Sequence, residues 1–98
     1  MAASLDVHVT TVDGGFVITP VGEVDVSTAH RLARALERSH GAVEVDCGGV
    51  RLIDAAGLGV LAHAASTNGS LVIRGTTPFL RRTFQAAGLE HLLAVAER

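Results

Sequence analysis

Apolar and polar residues alternate from Leu5 to Val12, with Leu5, Val7 and Val9 on one side and Asp6, His8 and Thr10 on the other. A period of two over this length predicts a half-buried β-strand. Asp13-Gly14-Gly15 is a turn signal, and Phe16-Val17-Ile18-Thr19-Pro20-Val21 predicts the returning strand of a hairpin. Pro20 has no amide proton for a ladder, which places it at an edge, a bulge or a strand end. Gly22-Glu23-Val24-Asp25 then leaves the sheet.

The pattern next changes to a helical period. Ala29, Leu32, Ala33 and Leu36 form one apolar face, with Arg31, Arg34, Glu37 and Arg38 on the wet side. Asp25, Ser27 and Thr28 each qualify as the cap, and His40-Gly41 ends the helix with glycine in the C-terminal cap position. Alternation returns from Ala42 to Cys47, a strand burying Val43, Val45 and Cys47. Gly48-Gly49 breaks it, and Val50-Arg51-Leu52-Ile53 leads to Asp54. From Ala55 to Thr67 a second, almost wholly apolar helix is expected, stopped by Asn68-Gly69. Leu71-Val72-Ile73 reads as a short buried strand. Thr77 followed by Pro78 is a cap and first-turn proline for a third helix striped by Leu80, Phe84 and Ala87 and closed by Gly88. Leu89 to Val95 is a terminal strand or short helix.

The expected order is β-β-α-β-α-β-α. After the N-terminal hairpin, helices and strands alternate, which implies parallel pairing within a mixed sheet. No linker, repeat or low-complexity run interrupts it. The fold class is therefore α/β, one small domain spanning residues 1–98.

Composition narrows the chemistry. All 8 basic residues are arginine, so Schiff-base chemistry, a lysine base and the P-loop lysine are excluded. Aromatic residues make up 3%, with no Trp or Tyr, so no stacking platform for single strands exists. A net charge of −2 argues against nucleic-acid binding driven by counterion release. One cysteine, Cys47, cannot form an internal disulfide and fits a reducing cytoplasm. The Met1-Ala2-Ala3-Ser4-Leu5-Asp6 start has neither the basic nor the apolar region of a signal peptide. No run suits a membrane span, so direct membrane insertion is not expected.

Candidate chemical sites are few. His8, His30, His40, His63 and His91 show no i, i+3 or i, i+4 pairing that would suggest a metal site. Cys47 lies mid-strand among buried valines, the setting of a small core residue. Gly57-Leu58-Gly59-Val60-Leu61-Ala62 matches the permissive dinucleotide pattern G-x-G-x-x-A, but no acidic residue follows in Leu71–Thr77 to hold a ribose. No metal, cofactor or catalytic residue is expected. The informative segment is Ile53 to Gly59. Asp54 is placed to cap the second helix through the amides of Ala56 or Gly57, facing the positive end of the helix dipole. Ala55, Ala56 and Gly57 then leave a smooth, uncharged tip.

Here the sequence resembles a STAS domain, the module of anti-sigma factor antagonists and sulfate transporters. Gly22-Glu23-Val24-Asp25 is similar to the family's G-E-[IL]-D. Asp54-Ala55-Ala56-Gly57-Leu58-Gly59 stands where the family has D-S-[ST]-G-L-G. Leu80 to Leu89 resembles the third-helix pattern, a Phe followed four residues on by Gly-Leu. The resemblance implies a non-enzymatic, cytoplasmic protein-binding regulator whose partner is an anti-sigma factor of the serine-kinase type. It implies a docking surface of Glu23, Asp25, Asp54, Ala55, Ala56, Gly57 and Leu58, in a monomer or weak homodimer. In the family that kinase phosphorylates the residue after the motif aspartate, and the added charge releases the partner. That acceptor position is Ala55, followed by Ala56, and neither has a hydroxyl. The alanine pair implies a permanently binding-competent chain, a member regulated by abundance or a second partner, or a substituted acceptor. Ser27 and Thr28 are read as caps. An alternative implied by the same motif is an accessory STAS subunit of a lipid or solute ABC transporter, for which the apolar second helix would serve as a permanent contact. Nucleotide binding, the third reading, has only the helix tip as a phosphate cradle.

Overall fold

The hairpin expected at the N-terminus is β1 (Leu5–Val12) and β2 (Gly15–Val24), antiparallel with Leu5 opposite Gly22 and Val12 opposite Gly15. In this computed structural model, which describes residues 4–98, the chain continues through α1 (Ala29–Glu37), β3 (Ala42–Asp46), β4 (Gly49–Ile53), α2 (Ala55–Thr67), β5 (Leu71–Arg74) and α3 (Pro78–Ala86). Two 3-10 turns, Glu90–Leu92 and Val95–Glu97, complete it. The reading of the Met1–Asp6 start falls in part on residues 1–3, outside the described range.

Among the described residues the sheet has five strands, in the order β1-β2-β3-β5 with β4 also pairing β2. The β2–β3, β2–β4 and β3–β5 pairs are parallel. β3 and β4 lie end to end along β2, because Ile18 pairs Val45 and Val21 then pairs Gly49. This corrects the expected order: Gly49–Ile53 is a strand, and Gly22, Glu23 and Val24 stay in the sheet rather than leaving it. A register shift between Gly22 and Glu23 puts Arg51 between the partners of those residues, which erased the period-two signal of β4.

Pro20 is likewise not at an edge but buried in the central strand. It lies where β2 changes parallel partner, after Ile18 and before Val21, so no strand there asks for an amide proton. Gly41 is not the cap of α1, whose C-cap is Arg38. Gly41 has φ +74° and approaches Gly14, where a Cβ would lie 2.5 Å from the carbonyl oxygen.

One face of the sheet carries the core. Ile18, Val24, Val43, Val45, Leu71 and Ile73 meet Leu32 and Leu36 of α1, Leu61 of α2, and Leu80 and Phe84 of α3 in a single cluster. Thr77 accepts the Leu80 amide at 3.2 Å and Pro78 opens α3, as expected. Ala87 is exposed, so the third member of the expected stripe is outside the core. The ambiguous tail is held by a parallel bridge from Leu93 to Ile73 and by Glu97, whose carboxylate accepts the amides of Gly75 and Thr76, each at 2.7 Å.

Cys47 is buried at the end of β3. Burial pushes its thiol up to about 12, and the nearby Asp46 and Glu97 charges add to this. Since the thiolate is the reactive species, we expect no reaction with a thiol reagent at neutral pH until the chain unfolds. Rapid labelling of the native protein would contradict this placement.

Candidate functional site

The carboxyl ends of β2 and β4 lie side by side, with Val24 paired to Ile53 and the Asp54 amide donating to the Val24 carbonyl at 3.0 Å. Two loops therefore leave the same sheet edge together, one headed by Asp25 and the other by Asp54. The ends of adjacent parallel strands are where α/β folds expose ligand and partner sites. The tertiary structure thus joins two motifs that are separated in sequence.

Asp54 is the N-cap of α2, in extended backbone. Its Oδ1 accepts the amides of Ala56 at 2.9 Å and Gly57 at 3.3 Å. A carboxylate here satisfies two of the free N–H groups at the helix start and complements its dipole. Ala55, the first helical residue, is exposed, and Ala56 and Leu58 are half-buried. The tip is a methyl-lined surface above a bound carboxylate.

The open capping choice for α1 falls on Thr28, which occupies the N-cap position without a side-chain cap bond, and the Asp25 carboxylate instead closes the turn that leads into the helix. Asp25 Oδ1 accepts the Ser27 hydroxyl at 2.7 Å, the Ser27 amide at 2.9 Å and the Thr28 amide at 3.1 Å. The Ser27 hydroxyl bond, with the Ser27 amide and Thr28 groups, outweighs desolvation and holds the Asp25 carboxyl below its usual range. In return the Asp25 amide donates to Thr28 Oγ1 at 2.9 Å, and that hydroxyl donates to the Glu23 carbonyl at 2.8 Å. Ser27 and Thr28 thus spend their hydroxyls on the loop, and Thr28 is buried. Glu23 faces Arg51 at 3.4 Å in an exposed pair of little energetic weight.

Two apolar residues at this edge were missed by sequence reasoning. Val26, next to Asp25, is 83% exposed, and Leu52, opposite Glu23, is 42% exposed. Val26 carried a weak signal, an apolar residue outside any period between two capping residues. Leu52 carried none, because its strand was not recognised.

The two glycines of the tip differ completely. A Cβ on Gly57 would lie 2.6 Å from both Ile53 Cγ1 and Val24 Cγ1, whereas one on Gly59 would meet nothing within 4 Å. Gly57 lets α2 press onto the ends of β2 and β4. Gly59 instead opens into a groove of about 770 Å³ between α1 and α2, which reaches the tip at Ala56. Gly57→Ala should destabilise the fold by about 1–3 kcal/mol through overpacking, and Gly59→Ala should stabilise it by up to about 1 kcal/mol through helix propensity. Urea unfolding of both variants checks the opposite signs; equal effects would mean that α2 does not pack as described.

Among the described residues no group of three His, Cys, Asp or Glu side chains gathers to hold a metal ion. None of their helices is long and apolar enough to cross a membrane.

Comparison with known proteins adds the following. Residues 7–94 match the family model described as Mlab, STAS domain. Among solved structures, the chain is similar to an anti-sigma factor antagonist from Mycobacterium paratuberculosis, at 28% identity and a TM-score of 0.79, over 94% of this chain and 86% of that one. It is similar in fold to the anti-sigma factor antagonist SpoIIAA in its unphosphorylated form, at 16% identity and a TM-score of 0.74, over 91% and 86% of the two chains. It is also similar in fold to the Bacillus cell fate determinant SpoIIAA in the phosphorylated form, at 16% identity and a TM-score of 0.67, over 95% and 89%. No curated protein sequence matches significantly.

Proposed function

We propose, from the premise that this chain belongs to the STAS domain family, that it is an anti-sigma factor antagonist-like regulator that binds its partner without a serine-phosphate switch. The partner is an anti-sigma factor of the serine-kinase type, in the cytoplasm. The docking surface comprises Glu23, Asp25, Asp54, Ala55, Ala56 and Leu58, with Val26 as an added apolar contact, while Gly57 is buried beneath them and seats the helix tip on the strand ends. The observation that carries this reading is the exposed Ala55 methyl on the first turn of α2, beside the Asp25 loop. Similarity to structures described as anti-sigma factor antagonists weighs toward this reading over the transporter subunit.

The physical logic is one of subtraction. A phosphate on the first turn of α2 would add about −1.5 to −2 charge in the middle of the surface. Ala55 offers no oxygen to esterify, so the tip stays small, uncharged and ready to dock. Regulation then falls to the abundance of this chain or to competition between partners.

Calorimetric titration against anti-sigma factor kinases, with ATP present throughout, tests the proposal. A complex that persists with ATP, together with no phosphate transfer by intact-mass analysis, is the expected result. Absence of association with any such kinase, or stoichiometric phosphorylation that dissolves the complex, refutes it.

A further inference from the structure

We propose that the outer edge of β1 is a homodimer interface, on which a second copy of this chain lays its own β1 antiparallel to form one continuous sheet. β1 is eight residues long and, among the described residues, an edge strand paired to β2 on one side only. The Glu23 amide donates to the Ser4 carbonyl at 3.0 Å, which sets the phase of the ladder. Asp6, His8, Thr10 and Val12 consequently turn their backbone groups toward β2, and Leu5, Val7, Val9 and Thr11 turn theirs outward.

The outward groups are not all free. Arg31, on α1, donates from its guanidinium to the Leu5 carbonyl at 3.0 Å and closes that end of the edge. Among the described residues, no hydrogen bond outside the β1–β2 ladder reaches the N–H or C=O of Val7, Val9 or Thr11. Edge strands are ordinarily protected by lysine, proline, a bulge or a covering element. β1 has no lysine or proline, and its register with β2 is unbroken. Val9, on the side where α1 packs, is left 49% exposed.

The open stretch complements itself in one register. A two-fold axis perpendicular to the sheet keeps each residue on its own face, so partners must be an even number of residues apart. Centred on Val9, the pairing sets Val9 against Val9, Val7 against Thr11 and His8 against Thr10. It uses every free group from Val7 to Thr11 and leaves the Leu5 carbonyl to Arg31. Centring on His8 or Val7 instead would require Leu5 to pair, displacing Arg31, and centring on His8 would set that side chain against itself. With Val9 at the centre no like charges meet, and each exposed Val9 is covered by its counterpart. A second copy of this chain fits the edge because, in this register, the identical edges satisfy one another. The Asp54 tip lies at the carboxyl ends of β2 and β4 and stays open in such a dimer.

Sedimentation of the whole chain over a wide concentration range tests this alongside two variants. Val9→Pro deletes an outward N–H that β2 does not use, so the strand can keep its place in the fold, and dimer affinity should fall about tenfold or more. Val9→Cys puts two thiols across the axis, at a Cα separation of about 5.5 Å that a disulfide spans. With Cys47 buried, oxidation should yield a single cross-linked dimer. A wild-type chain that remains monomeric at millimolar concentration, a dimer indifferent to Val9→Pro in a folded variant, or a Val9→Cys chain that does not cross-link overturns the proposal. Because neither variant touches the helix tip, partner binding reports separately on the docking site.

Discussion

Ala55→Asp should weaken the complex with an anti-sigma factor by on the order of a hundredfold while leaving the free domain folded. Two effects of one carboxylate separate here. On the first turn of α2 it faces the positive end of the dipole, which contributes about 0.3–1 kcal/mol in favour of the helix. At the interface the same group must either lose its water without a partner or hold the two surfaces apart. Leaving a charge buried and uncompensated costs about 3–5 kcal/mol, and each 1.4 kcal/mol is roughly a factor of ten in affinity. The acidic neighbours Glu23, Asp25 and Asp54 add repulsion rather than relief. The measurement is a titration of each variant with the same partner, paired with thermal melting of the free proteins. Unchanged or tighter binding by a well-folded Ala55→Asp variant would show that the tip is outside the contact. Ala55→Ser makes the complementary case: under the proposed function it places a hydroxyl at the position expected for an acceptor, and a kinase partner should then transfer phosphate to it.

Phe84→Ala is expected to be the most damaging single core substitution for stability. Phe84 is wholly buried and is the largest of the fully buried side chains, in a domain with only 3 phenylalanines. Truncations of this kind cost about 3–5 kcal/mol through lost burial and the cavity left behind. Domains of ordinary stability have about 5–15 kcal/mol in total, so this loss takes a large share of it. The chain gives a reason to expect little relief. The Leu89 amide bonds the Phe84 carbonyl at 2.8 Å and Gly88, with φ +76°, ends the helix there, so the backbone around the cavity is tied on its C-terminal side. Urea unfolding reads the loss as a lower midpoint at unchanged slope. A change below about 1 kcal/mol would mean that α3 is not anchored through this ring.

How much of the site was legible follows from how local each signal is. Asp54 as the cap of α2 could be read directly, because a carboxylate two and three residues before its donors needs no distant partner. The bounds of β1 and α2 were legible for the same reason: a period of two between turn residues, and a run of small apolar residues between a cap and Asn68-Gly69. The cap of α1 was readable only as one of three residues. That Thr28 takes the position while the Asp25 carboxylate gathers Ser27 and Thr28 in the turn before it depended on the backbone path. Val26 and Leu52 were not legible, since their exposure depends on what the other elements leave uncovered.

By itself, the amino-acid sequence determined the hairpin, the three helices and strands β3 and β5, the caps of α2 and α3, most apolar positions of the core and the absence of any hydroxyl at Ala55 and Ala56. These rest on interactions within a few residues, or on chemical identity alone. The tertiary structure decided that Gly49–Ile53 is a strand, that Pro20 can occupy a central one, that Gly57 is confined while Gly59 is open, and that the Asp25 and Asp54 loops share one edge. Each of these depends on which distant backbone lies alongside, and a strand or a void exists only once its neighbour is in place.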